Sequence, residues 1–100
     1  MNVIWCYKED AIKMMKNSRG KIFGVSFIKR TNGEIRTMSA RRGVSKGVNG
    51  EGLKYDPESK QLLTVYDMHK QGYRMINTND ILNLSINGNR YMIYSKLMDV

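Results

Sequence analysis

The chain is short of the residues that build covalent cross-links, metal sites and catalytic centres. Its single cysteine, Cys6, excludes an intramolecular disulfide and suits a reducing compartment. Beside Val3, Ile4 and Trp5 that thiol reads as a small buried hydrophobe rather than a nucleophile. The one histidine, His69, falls where a strand enters a turn, a position that is usually solvated. No two His or Cys residues have metal-ligand spacing, so neither zinc nor any other cofactor is expected. Asp56-Pro57-Glu58 is a turn signal rather than an acid pair, and the glycine-rich stretch lacks the Gly-Lys-Ser/Thr ending of a P-loop. Long apolar runs are missing too. Lys8, Glu9 and Asp10 interrupt the N-terminal one before it could be a signal peptide or a membrane span. The expectation is a non-enzymatic, cytoplasmic protein with no membrane association.

What the chain has in excess is positive charge, and that excess is local. Between Ala11 and Gly50 stand ten basic residues and one acid, Glu34, a net charge of +9. The other sixty residues hold seven basic and eight acidic groups, so the overall +8 belongs to one 40-residue segment. Segregated charge costs self-repulsion that a polyanionic partner such as nucleic acid would relieve. The competing reading is a generally basic protein with solvated lysines.

One hundred residues, 41% of them hydrophobic and one of them proline, make a single ordered domain. Residues 1–20 form its helical N-terminal extension and residues 21–97 a β-domain. Ala11, Ile12, Met14 and Met15 supply the apolar stripe of a helix over Lys8–Ser18, with Glu9 and Asp10 in its first turn and Gly20 beyond its end. After Gly20 the period becomes 2. Phe23, Val25 and Phe27 alternate with smaller residues along a strand of about ten residues. Asn32-Gly33 signals a tight hairpin into a second strand from Glu34 to Ala40. That strand carries Ile35, Thr37 and Ser39 on one face and Arg36, Met38 and Ala40 on the other. Four glycines from Gly43 to Gly52 predict a long mobile loop. Strands follow at Leu62–Met68, Tyr73–Asn77, Ile81–Ile86 and Arg90–Leu97, with a 3₁₀ turn at Thr78–Asp80 and a hairpin through Asn87-Gly88-Asn89. The pattern does not decide Met1–Cys6 or Met98–Val100. The fold class is mainly β (α+β). Five or six short strands form a small SH3/Sm-like antiparallel barrel with a short N-terminal helix. Phe23, Val25, Phe27, Leu63, Val65, Ile76, Leu82, Leu84 and Ile93 are its expected core.

Four strings carry a family resemblance: Ile35-Arg36-Thr37-Met38-Ser39-Ala40-Arg41-Arg42-Gly43-Val44, Gly52-Leu53-Lys54-Tyr55-Asp56-Pro57, Leu63-Thr64-Val65-Tyr66-Asp67-Met68 and Gly72-Tyr73-Arg74-Met75-Ile76-Asn77. Over roughly Lys21 to Tyr94 the chain resembles short phage and prophage proteins described as Sm-like SH3 β-barrels related to the WYL domain. The resemblance implies the barrel fold and a phage origin, hence a host cytoplasm. WYL domains are regulatory ligand-binding modules, often of nucleic acid, and the resemblance raises that expectation here by analogy.

The candidate binding residues are Lys29, Arg30, Arg36, Arg41, Arg42, Lys46, Tyr73 and Arg74. Arg41-Arg42-Gly43 and Lys46-Gly47 join cationic side chains to backbone that can approach phosphates closely. Burial cost favours Arg36 pointing outward. Among Tyr55, Tyr66, Tyr73, Tyr91 and Tyr94, whose rings either stack on bases or complete the core, Tyr73 beside Arg74 is the pair most readily exposed. RNA or single-stranded DNA fits better than duplex DNA, since no recognition helix is evident. The alternative is a phage inhibitor that binds a bacterial enzyme or defence complex through the same basic surface. Free strand edges also make a homodimer compatible with the pattern.

Overall fold

The alternation of Phe23, Val25 and Phe27 places three large side chains on one face of a central strand, and the rest of the sheet assembles around it. The computed structural model describes residues 2–42 and 61–94. Its elements are β1 (Asn2–Cys6), α1 (Lys8–Lys16), β2 (Phe23–Ile28), β3 (Ile35–Arg41), β4 (Leu62–Asp67), β5 (Gly72–Asn77), a 3₁₀ turn at Thr78–Asp80, β6 (Ile81–Ile86) and β7 (Asn89–Ile93). The glycine-rich loop Gly43–Gly52 with Lys46, the Tyr55 and Asp56-Pro57-Glu58 segment, and the expected end of the last strand at Leu97 lie outside the described residues.

One curled seven-stranded sheet has the order β1-β7-β6-β2-β3-β4-β5. Its inner face is read from the register. Phe23 lies opposite Ala40 and Val25 opposite Met38, while Leu63 faces Ile76 on the β4–β5 hairpin. All of these are buried, with Val65, Leu84 and Ile93 beside them. Helix α1 adds Ala11 and Met15, each fully buried, and is tied to the 3₁₀ turn by a hydrogen bond from Lys8 Nζ to Asn79 Oδ1 (2.8 Å). The Asp10 carboxylate accepts the Tyr7 N–H at its start.

Four expectations are corrected. Among the described residues the sheet has seven strands, not five or six, and it does not close. From Asn83 to Ile86 one edge of β6 is paired with β7, and β2 holds the other from Asn83 to Ser85, so β5 ends the sheet. The segment Met1–Cys6 supplies the added strand β1, parallel to β7. There Cys6 is half-buried against the core, but Val3, Ile4 and Trp5 are exposed. Leu82 is only half-buried because the register between β2 and β6 slips: Ser26 pairs with Asn83 but Phe27 with Ile81. The extra residue turns Ile81 inward and displaces Leu82. Finally, Asn32-Gly33 does mark the first hairpin, but as a four-residue loop between Lys29 and Glu34 in which Gly33 alone has positive φ. The two-residue primed turn is Asn87-Gly88, with φ of 53° and 80°.

These placements separate two side chains of similar hydrophobicity. Phe23→Ala should lower the unfolding free energy by about 3–5 kcal/mol, whereas Leu82→Ala should cost about 1 kcal/mol because part of its surface already meets water. Urea denaturation of the two variants checks the order; a larger loss for Leu82→Ala would put it in the core after all.

Candidate binding cleft

Among the described residues β5 has no strand on its outer side, and a seam separates it from the β2–β3 hairpin. That seam is a cleft of about 560 Å³ lined by Phe27, Lys29, Arg30, Arg36, Met38, Leu62, Tyr73, Arg74, Met75 and Asn77, with Thr31 at its rim. The size is within the roughly 300–1,000 Å³ of clefts that hold small ligands. Among the described residues, four of those lining it are basic and none is acidic, while Glu34 and Asp67 line an adjoining depression with Lys29 and Arg36. Phe27, Met38 and Leu62 supply apolar wall, with Tyr73 and Met75 at the β5 side.

Each cation is held differently. Arg36 sits opposite Phe27, on the face of Met38 and Ala40, and is half-buried. The expectation that it points outward is therefore corrected. The inner face of β3 runs off the core into the cleft here, which a long side chain with an apolar stem and a charged head tolerates. Arg30 crosses the seam, donating to the Gln61 carbonyl (3.4 Å) and to Asn77 Oδ1 (3.3 Å). Arg74 forms an ion pair with the buried Asp67, Nε to Oδ2 3.1 Å. Lys29, at the exit of β2, is half-buried. Tyr73, 41% exposed, makes an edge-to-face contact with Tyr66, centroids 5.5 Å apart.

Two residues that the sequence reading passed over hold this arrangement. Asn77 is buried and donates through Nδ2 to the Ile28 carbonyl and to Asp80 Oδ2, both at 3.0 Å, while its Oδ1 receives Arg30. It pins the end of β5 to the end of β2. Asp67 accepts the His69 and Lys70 amides through Oδ1, shaping the β4–β5 turn, while its Oδ2 forms the ion pair with Arg74 Nε. An Asx residue at a strand end is a legible turn signal; its pairing with Arg74 is not.

Of the expected binding residues, Lys29, Arg30, Arg36, Tyr73 and Arg74 converge on the cleft. Arg41 and Arg42 do not line it. Arg41 pairs with Tyr66 in the β3–β4 register and alternates with Ala40 onto the opposite face, its Nε buried. Lys46 is outside the described residues. The tyrosines divide likewise, with Tyr73 and Tyr94 exposed and Tyr66 and Tyr91 half-buried. At the other end of the sheet, burial with the nearby Asp10 carboxylate pushes the Cys6 thiol above its ordinary value. Among the described residues no three His, Cys, Asp or Glu side chains converge as metal ligands, and no helix is long and apolar enough to cross a membrane.

Asn77→Ala should cost about 1–3 kcal/mol, because it leaves the half-buried Ile28 carbonyl without its Asn77 donor and releases Arg30. Thermal unfolding reads the loss. An unchanged midpoint would mean that the seam does not depend on this side chain.

A family model described as WYL_2, Sm-like SH3 beta-barrel fold, matches residues 11–82. That span runs from α1 through the start of β6 and leaves β1 and β7 outside it. Neither a curated protein nor a solved structure matches the chain.

Proposed function

The chain belongs to the WYL_2 family of Sm-like SH3 β-barrels, and on that scaffold we propose a non-catalytic, phage-derived module that binds single-stranded nucleic acid, RNA or DNA. The observation that carries the reading is the cleft itself, where the described residues set four basic side chains beside an apolar wall and an exposed tyrosine. A nucleotide needs both halves of that lining. Lys29, Arg30 and Arg36 meet phosphate oxygens, with the guanidinium groups offering paired donors. The base lies against Tyr73 and Met75, where stacking is tolerant of sequence. Arg74 shares its charge with Asp67 and so acts mainly by positioning the β5 wall. The net +9 of Ala11–Gly50, to which Lys29, Arg30 and Arg36 of the cleft belong, adds a longer-range field that attracts a polyanion.

Three phosphate contacts on a single strand imply a slope of log K against log salt of about −2, at roughly −0.7 per contact. Replacing Lys29 and Arg36 together by alanine should flatten it by about 1.4. Lys13→Ala and Arg90→Ala, exposed cations away from the cleft, should leave it nearly unchanged. Fluorescence anisotropy with RNA and DNA oligonucleotides over a salt series measures all of these. If neither nucleic acid binds at low salt, the reading fails, and the basic cleft is left to a protein surface of opposite charge such as that of a host enzyme or defence complex.

A further inference from the structure

We propose that the free edge of β1 joins two copies of this chain, pairing β1 antiparallel with itself about a two-fold axis at Ile4. The inference is independent of the nucleic-acid reading, since β1 is at the opposite end of the sheet from β5.

Among the described residues β1 is paired on one side only, with β7. Which of its peptide groups are left over follows from the register. Cys6 lies opposite Ile93, and its carbonyl accepts the Tyr94 N–H at 3.0 Å. In a parallel ladder a residue turns both its N–H and its C=O to the same neighbour, and alternate residues turn to the other side. Asn2, Ile4 and Cys6 therefore face β7, while Val3 and Trp5 present their N–H and C=O outward. A monomer normally blunts such an edge with charge, proline or a bulge. From Asn2 to Tyr7 this chain has no charged residue and no proline, although 26% of its residues are charged.

Five of the eight large hydrophobic side chains exposed among the described residues gather at this edge: Val3 (60% exposed), Ile4 (40%), Trp5 (45%), Tyr7 (58%) and Tyr94 (38%). Tyr94 is packed between two others, 5.3 Å from Trp5 and 5.2 Å from Tyr7 by ring centroids. Their exposed surface is on the order of 500 Å² per copy, and two copies reach about 1,000 Å², the lower bound for a specific interface. Absence of charge argues against an acidic or basic partner. The sequence of the edge argues for a second copy, because its two outward residues are symmetric about Ile4. In one register Val3 lies opposite Trp5 of the partner subunit, and Trp5 opposite the partner's Val3. Every outward N–H and C=O of the two residues is then satisfied, a small side chain meets a large one, and the two Ile4 residues face each other as the close pair, with Cα atoms about 4.5 Å apart.

That register can be tested by disulfide formation. In a Cys6→Ser background, Ile4→Cys should give a covalent dimer on mild oxidation, since the expected separation is within disulfide reach. Val3→Cys in the same background should not, because it would face a tryptophan. Sedimentation velocity of the unaltered chain at 5–100 µM, an assay range on the order of typical homodimer affinities, should give twice the chain mass. Val3→Lys should be monomeric over that range with an unchanged circular dichroism spectrum. A chain that stays monomeric at the highest concentration overturns the proposal, and so does a dimer that Val3→Lys leaves intact or that cross-links through Val3→Cys rather than Ile4→Cys.

Discussion

The two-residue turn at Asn87-Gly88 decides how this sheet ends. Both residues adopt positive φ, which matches the twist of the strands they join and reverses the chain without a loop. β7 is thereby laid along the edge of β6 from Asn83 to Ile86, with β2 on the other edge. In a closed small barrel that edge would go to the last strand on the opposite side. Here, among the described residues, β5 is left unpaired on its outer side, and the curl of the sheet brings it near the end of β2 without a ladder between them. The cleft is that gap. The same turn carries β7 to where β1 can add in parallel, so the second free edge also follows from it.

A gap lined with cations tends to open, because like charges repel and water enters to solvate them. Two buried polar side chains oppose this. Asn77 bonds the end of β2, Arg30 and Asp80 at once, and Asp67 couples Arg74 to the amides of the β4–β5 turn. Neither arrangement is a strong source of net stability, since burying a charge costs about what its pairing returns. Their effect is positional. They fix where Arg30 and Arg74 stand before any ligand arrives, which reduces the ordering cost that binding would otherwise carry.

Local chemistry was legible in the sequence wherever it decided the outcome. The helix, the strand pairs, the 3₁₀ turn and eight of the nine expected core residues follow from period and turn residues, because each is set by neighbours a few positions away. The ninth, Leu82, fails because alternation was counted through a bulge, and a bulge is specified by the partner strand rather than by the strand itself. Arg36 fails for a related reason: its face was readable from Met38 and Ala40, but not that the inner face leaves the core at that point. The parallel pairing of β1 with β7 joins residues almost ninety positions apart, and no local signal encodes it. Five of the eight expected binding residues meet in one cleft, yet their convergence rests on Asn77 and on the unpaired edge of β5, neither of which charge counting reveals.

The cationic cleft and the apolar edge stand apart on the sheet. β1 and β2 are three strand spacings apart along the sheet, on the order of 15 Å, and pairing two copies through β1 would put roughly twice that distance between their clefts. At physiological ionic strength the Debye length is about 8 Å, so the two clefts would repel each other little. Lower salt lengthens the reach of that repulsion and works against the pairing. It also strengthens the hold of the cleft on a phosphate backbone, because fewer counterions compete for it. Salt therefore acts on the two ends of the sheet with opposite sign, which is the physical mark that separates an apolar edge from a cationic cleft within one small domain.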